Sequence, residues 1–469
     1  MGTNAAEETH VPNDQLEIPG ASAEQPAVAL IPYDDAPLRP FHFRVALAST
    51  GGAFSDGFGL GIIGIALSIA APQLHLTPLW LGLLGGGSLA GLFVGALVTG
   101  PASDQFGRRP VFAYNMGLLA GLSALQFFVV SGEQLLALRL CIGFLLGTDY
   151  VVSKALLTEF TPRRSRGPIL SLLSVAWAAG YSIAYFVGFA LTARGPDSWR
   201  WMLLASAAPC LLILPIRVTL PESPMWLAGH GHAEGAAQVV RRKIGSGVMP
   251  PAKVPPTARG QGRWRQLLSA RWRRRTLVAC AFFTCLVIPY FAVGTFVAYV
   301  ISALNARGGY VGGLAYNLAL LIGAVVGVVV VDRISRRSFL VGSLTSAGGA
   351  MLVLTLAEGL APVAVIVLFA LFAGVLSAAS SLVYVYLPEL FPTDLRASGI
   401  GLAVAASRIG SAVSTFLLPV VVAEFGVRAA LGVCFAVLAI GALICQKWAP
   451  ETRLVGLVAV DQHVAAAHD

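Results

Sequence analysis

Residues 100–112 read GPASDQFGRRPVF, and residues 328–340 read VVVVDRISRRSFL. In each, an Asp is followed four and five residues later by a basic pair: Asp104 with Arg108 and Arg109, Asp332 with Arg336 and Arg337. Each stretch stands between two long apolar runs. Basic turns anchor helices at a membrane surface in many folds, which accounts for the arginines but not for the repeated Asp. Two equivalent turns in equivalent places point to parallel repeats related by an axis along the membrane normal.

The composition around these turns fits a membrane. The chain has 469 residues, 56% hydrophobic and only 12% charged, with a mean hydropathy of +0.76. A soluble chain carries about 25% charged residues. The apolar residues gather into runs of about 20, each long enough to cross a bilayer as a helix. Spans are expected at residues 45–71, 79–99, 111–130, 136–158, 169–193 and 200–220. They resume at 276–304, 310–331, 338–357, 362–387, 398–423 and 427–449. The fold class is therefore an all-α polytopic membrane protein of twelve transmembrane helices in two six-helix bundles, residues 45–220 and 276–449. Residues 221–275 between them are polar and basic, as in WRQLLSARWRRR (264–275), and read as a loop with room for a short amphipathic helix. Residues 1–44 read as a disordered tail, without the basic start and cleavage site of a secretory signal, and 450–469 as a second tail.

Charge gives an orientation. With the N-terminus inside, 24 of the 32 Lys and Arg fall on the cytoplasmic side and four outside, which places both termini in the cytoplasm. The excess of Arg over Lys, with abundant Ala and Gly, points to a GC-rich bacterial genome and hence to the bacterial inner membrane as the plasma membrane concerned. The net charge of +9 belongs to these loops rather than to a nucleic-acid surface. Six cysteines all fall in or beside the spans without metal-like spacing, as reduced packing residues do.

Over residues 45–450 the chain resembles the major facilitator superfamily. GPASDQFGRRP is similar to that family's loop 2–3 signature, and PESPMWL (221–227) and PELFPTDLRASG (388–399) resemble motifs of sugar porters and their metabolite- and organic-acid-transporting relatives. The resemblance implies a central cavity between two bundles, opened alternately to each side. Asp104 is placed to meet a helix dipole or an arginine across the cytoplasmic face. Glu159 stands beside Arg166, and Glu222 and Glu389 follow spans 6 and 10, with Arg396 close after the last. Together with Arg108, Arg109, Arg336, Arg337 and Asp332, these are expected to form gate ion pairs when the inside closes. Each exposed pair contributes about 0–1 kcal/mol.

Inside the spans lie charges that lipid does not tolerate cheaply. At about 1.5 Å per residue, Asp56 in span 1, Asp149 in span 4 and Arg408 in span 11 share one depth, about 15 Å from the cytoplasmic end. A charge there costs about 2.5–3.5 kcal/mol and usually faces a cavity or a partner. Arg408 offers a permanent bidentate fork suited to a carboxylate or phosphate. Burial favours the neutral form of a carboxyl, so Asp56 or Asp149 is the expected proton site. SDGFGLGIIGIAL (55–67) resembles the first span of aromatic-acid:proton symporters, with Gly59 where a second acid often stands. GTDYVVS (147–153) is similar to the Gly-Asp-Tyr segment of phosphate:proton symporters, with Val-Val for Pro-Leu. ASRIGSAV (406–413) resembles the span-11 segment of organic-acid symporters.

Lys154 lies about one turn from the cytoplasmic end and is expected to snorkel or to serve the gate. Arg139 either joins the cavity or anchors the far interface. Asp149 has a structural alternative as an ion-pair partner of Arg139 or Arg408. Trp177 and Tyr181 at i, i+4 in span 5, with Tyr290 and Phe291 in span 7, suit the walls of a small-molecule site as well as helix packing. Ser377, Ser380, Ser381 and Tyr384 of span 10 are equally ambiguous.

The expected function is secondary active transport of a small organic anion of carboxylate type by a monomer, in symport with protons and with no cofactor besides the proton gradient. Export of a drug or metabolite and sugar transport are the alternatives. Span 5 lacks the Gly-Pro of drug antiporters, and CLVIPYFAVGTFVAYV (285–300) lacks the amide cluster of sugar porters. The cytoplasmic segments are too short for the long signalling domain of a sensor. No nucleotide loop, metal cluster or triad suggests an enzyme.

Overall fold

The computed structural model describes residues 31–251, 266–304, 309–331, 333–391 and 393–452, without the side chains of 393, 394, 396 and 397. It contains twelve helices long and apolar enough to cross a membrane. Span 1 is Pro40–Gln73, span 2 Pro78–Phe106, span 3 Arg108–Leu125, span 4 Gly132–Phe160 and span 5 Arg166–Leu191. Span 6 is broken into Ser198–Ala205 and Ala207–Val218. Span 7 is Arg273–Thr295 continued by Val297–Ala303, and span 8 is Gly309–Val330. Span 9 is Arg336–Leu356, span 10 is Pro362–Ala379 continued by Leu382–Glu389, span 11 is Thr393–Phe425 and span 12 Val427–Trp448.

Polar punctuation sets the ends. Thr77 and Ser131 accept from the backbone of Trp80 and Gln134, and Pro78 occupies the first turn of span 2. Span 1 starts earlier than hydropathy suggests. His42 Nδ1 accepts from the backbone of Arg39 at 2.9 Å, closing a capping box ahead of the apolar run. The break in span 10 lies at Ser380 and Ser381, whose hydroxyls bond back to the carbonyls of Ser377 and Ala378.

Packing repeats between the halves. Spans 2 and 4, 1 and 5, and 3 and 6 pair in the first half; 8 and 10, 7 and 11, and 9 and 12 pair in the second. Spans 2 and 4 approach backbone to backbone. A Cβ on Gly91 would stand 2.3 Å from the Leu140 carbonyl oxygen, and one on Gly143 2.2 Å from that of Ser88. The halves meet where span 2 packs on span 11 and span 5 on span 8, contacts that exchange under the same repeat.

Those contacts lie toward the end away from Arg108 and Arg336. Ser182 donates to the Asn317 carbonyl at 2.8 Å, Ser68 and Tyr310 hydroxyls are 3.2 Å apart, and Gly82 admits the Phe416 carbonyl. Among the described residues, no hydrogen bond joins the halves at the end carrying the Asp104 and Arg336 turns, called here the basic end.

The tails are shorter than expected. Tyr33 is buried and donates to the Glu159 carbonyl at 2.9 Å, and Ile31 pairs with Val248. Residues 31–44 therefore belong to the folded unit, as do Pro450–Thr452; residues 1–30 and 453–469 lie outside the described residues. The connector forms short helices at Pro224–Gly229 and Ala233–Val239.

Candidate functional site

Asp56, Asp149 and Arg408 line one cavity between the two halves. Its walls also carry Tyr150 and Lys154 from span 4, Trp177 from span 5, Tyr290 and Phe291 from span 7, and Ser380 and Tyr384 from span 10. The break in span 10 thus falls on the cavity wall, the place where irregular backbone is tolerated at membrane depth. Trp177 meets Phe291 at 5.8 Å and Tyr290 at 6.2 Å, so an aromatic lining crosses from one half to the other.

Arg408 is 8% exposed and has no acid partner among the described residues. Its Nε is buried without a hydrogen bond, and its guanidinium lies 5.0 Å from the Tyr150 ring and 5.9 Å from that of Phe283. Among the described residues Asp56 makes no ion pair either, and its buried Oδ1 has no hydrogen-bond partner. A buried charge or acceptor left open in this way is a costly feature that a ligand or proton can relieve.

Asp149 differs from the expectation. Its partner is Arg217 of span 6, not Arg408 or Arg139. Arg217 Nη2 donates to Asp149 Oδ2 at 3.0 Å, Nη1 makes a close ion pair with Oδ1, and Ser153 donates to Oδ2 at 2.9 Å. Arg217 also donates to the carbonyls of Ala48 and Phe112 and lies over the Phe112 ring. Asp149 therefore touches the cavity with its charge already matched. Backbone depth along the helices does not reveal this pair. Span 6 stops at Val218, and the arginine side chain extends back into the bundle from there.

Three further assignments change. Tyr181 does not line the cavity; it stacks behind Trp177 at 5.2 Å and packs on Gly57, Gly61 and Gly294. Lys154 does not snorkel; its Nζ sits 3.3 Å from the Tyr150 ring centroid and 4.9 Å from that of Tyr384. Arg139 neither joins the cavity nor reaches the interface. It is 1% exposed inside the first half, donates to the Gly59 carbonyl at 3.0 Å and borders a small closed pocket with Ser55 and Gln126.

A second space adjoins the first toward the basic end, sharing Lys154, Ser174 and Tyr384. It runs between spans 4 and 5 of one half and spans 8 and 10 of the other. The central chamber is thus sealed toward one end by packed helices and bordered toward the basic end by further space.

The expected gate residues form pairs within each half rather than across the face. Arg108 pairs with Asp104 at 3.2 Å and with Glu159 at 2.6 Å. Glu222 accepts from the backbones of Arg108 and Arg109 at 3.1–3.2 Å, capping span 3, and Gly107 (φ 98°) leaves room for it. Arg166 pairs with Asp34 at 3.1 Å. In the second half Arg336 lies 3.6 Å from Glu389, and Arg337 donates to the Gln446 carbonyl. Glu451 caps span 9 through the backbones of Arg336 and Arg337. Glu451 was not among the expected residues. The signal is in the sequence: Pro221-Glu222-Ser223 after span 6 recurs as Pro450-Glu451-Thr452 after span 12. Asp332 and the Arg396 side chain lie outside the described residues.

Known proteins place this geometry. The family described as "Sugar (and other) transporter" matches residues 45–463. The inner membrane metabolite transport protein YgcS of Escherichia coli (strain K12) is 39% identical over 426 residues, 91% of this chain and 95% of that one. The niacin transporter NiaP of Acinetobacter baylyi is 27% identical over 389 residues, 80% and 86% of the two chains. Among solved structures, the inward open conformation of the E. coli xylose transporter XylE superposes with a TM-score of 0.74 at 18% identity, covering 90% of this chain and 99% of that chain. At that identity the likeness establishes the fold.

Proposed function

The chain belongs to the sugar (and other) transporter family and is a multi-pass secondary transporter of the major facilitator type, and from that premise we propose that its cargo is a small organic anion of carboxylate type, carried in symport with a proton. The observation that carries this reading is Arg408: a permanent cation, buried against aromatic rings in the central cavity, without an acid partner among the described residues. A neutral sugar would leave that charge uncompensated. Relatives named for niacin and for benzoate, both aromatic carboxylates, support an anionic cargo, and the aromatic walls suit its apolar part.

Asp56 is the proton site in this scheme. It faces the same cavity from span 1 with an unsatisfied oxygen, whereas Asp149 is held by Arg217. Binding of proton and anion together lets the two bundles rock about the cavity; one proton with one monocarboxylate moves no net charge, so the pH gradient drives accumulation, at about 1.4 kcal/mol per unit. The basic end faces the cytoplasm of a bacterium, with the protein in its inner membrane and working as a monomer. The capped turns at Glu222 and Glu451 keep each bundle rigid while the halves move.

The test is an uptake screen in proteoliposomes under an imposed pH gradient, with mono- and dicarboxylates, aromatic acids and sugars. Accumulation of carboxylates that an inward proton gradient accelerates supports the reading. Accumulation of a neutral sugar with no response to carboxylates overturns it.

A further inference from the structure

Among the described residues, four charged side chains line the central cavity: Asp56, Asp149, Lys154 and Arg408. Asp149 is cancelled by Arg217 from behind. Among the described residues, neither Lys154 nor Arg408 forms an ion pair, and Asp56 pairs with neither of them. Beside the two cations stand tyrosines: the Tyr150 ring lies 3.3 Å from the Lys154 ammonium and 5.0 Å from the Arg408 guanidinium, with its side chain within polar reach of both, and the Tyr384 ring of the other half lies 4.9 Å from Lys154. Two cations thus converge on one tyrosine ring at the cavity wall, one from each half of the protein.

A cation–π contact offsets only part of the cost of withdrawing an ammonium from water. The protein supplies Asp149 with a full counter-ion, yet among the described residues neither cavity cation has a carboxylate partner. We propose that Lys154 is the second cation of the cargo site, and that the cargo carries two acidic groups, one held by the fork of Arg408 and the other by the ammonium of Lys154. This rests on the reading of the cavity as an anion site and goes beyond it by fixing the number of acidic groups. Geometry gives the two cations different tasks. Arg408 projects from span 11 beside Phe283, while Lys154 sits where the central cavity joins the space toward the basic end, in contact with both halves through Tyr150 and Tyr384. A second carboxylate drawing Lys154 off Tyr384 would remove one contact between the halves at that junction.

The experiment is ligand-induced stabilisation of the purified full chain in detergent, with matched probes: benzoate against isophthalate, propionate against succinate, benzamide and xylose as neutral probes. The expected result is that the dicarboxylate of at least one pair acts at concentrations about tenfold or more below its monocarboxylate, the scale of one charge-assisted hydrogen bond. In Lys154→Gln that ratio falls toward one, and Lys154→Arg restores it. Equal action of mono- and dicarboxylates on the wild type overturns the two-acid cargo while leaving an anion site in place. A ratio that survives Lys154→Gln overturns the role of Lys154. Stabilisation by xylose with no response to any carboxylate overturns the anion reading itself, and with it this one.

Discussion

Arg217 of span 6 holds both oxygens of the Asp149 carboxylate inside the first bundle, where the two residues are 0% and 1% exposed. Ser153 and the carbonyls of Ala48 and Phe112 complete the network. The pair ties spans 1, 3, 4 and 6 together directly behind the cavity wall. Removing one partner strands the other charge. Arg217→Ala and Asp149→Ala are each expected to cost about 3–5 kcal/mol. The double replacement is expected to recover part of that loss. Thermal unfolding of the purified full chain reads this, and single variants as stable as the wild type would contradict it.

Gly52 is the room that pair occupies. A Cβ there would stand 1.6 Å from Arg217 Nη2 and 2.6 Å from Asp149 Oδ2. Gly52→Ala is therefore expected to destabilise nearly as much as Arg217→Ala. Gly59 lies two turns further along the same helix with nothing within 4 Å of its would-be Cβ. Gly59→Ala is expected to be neutral or to gain about 0.5–1 kcal/mol in helix propensity. Similar melting temperatures for the two variants would count against the packing described.

The two glutamate caps should be interchangeable in effect. Glu222 and Glu451 each bind two backbone N–H groups at the start of equivalent helices. Glu222→Ala and Glu451→Ala are each expected to cost about 0.5–2 kcal/mol, and the double variant close to their sum, since the turns share no partner. A double variant no less stable than either single one would show that the turns do not act independently.

At Arg408 the fork matters as well as the charge. If the cargo is an anion bound in bidentate fashion, Arg408→Lys keeps the sign and loses the geometry. Uptake affinity is expected to fall in both Arg408→Lys and Arg408→Ala, by about 2–5 kcal/mol in the latter, the scale of a lost buried charge pair. Normal affinity in Arg408→Ala would remove the anion assignment.

Much of this is legible in the sequence. The repeat of Asp104/Arg108/Arg109 as Asp332/Arg336/Arg337 carries the two-half architecture, because a turn that must cap and anchor a helix leaves its chemistry in the sequence. The shared depth of Asp56, Asp149 and Arg408 placed all three on the cavity. Direction around a helix was not legible. Each residue turns 100°, and whether Tyr181 or Lys154 faces the chamber depends on which neighbour each helix packs against and how it tilts. The Asp149–Arg217 pair was hidden for a related reason, since a long arginine side chain decouples the depth of its charge from that of its backbone.

In the proposed mechanism one chamber binds an anion and a proton together, with Asp56 carrying the proton. The most direct measurement compares wild type and Asp56→Asn in proteoliposomes, using a carboxylate that the wild type accumulates. Two rates are followed: uptake driven by an inward pH gradient, and exchange at equal pH with the same carboxylate on both sides. Asp56→Asn is expected to lose gradient-driven accumulation while still exchanging the carboxylate. Accumulation in Asp56→Asn that still follows the pH gradient as in the wild type would contradict it.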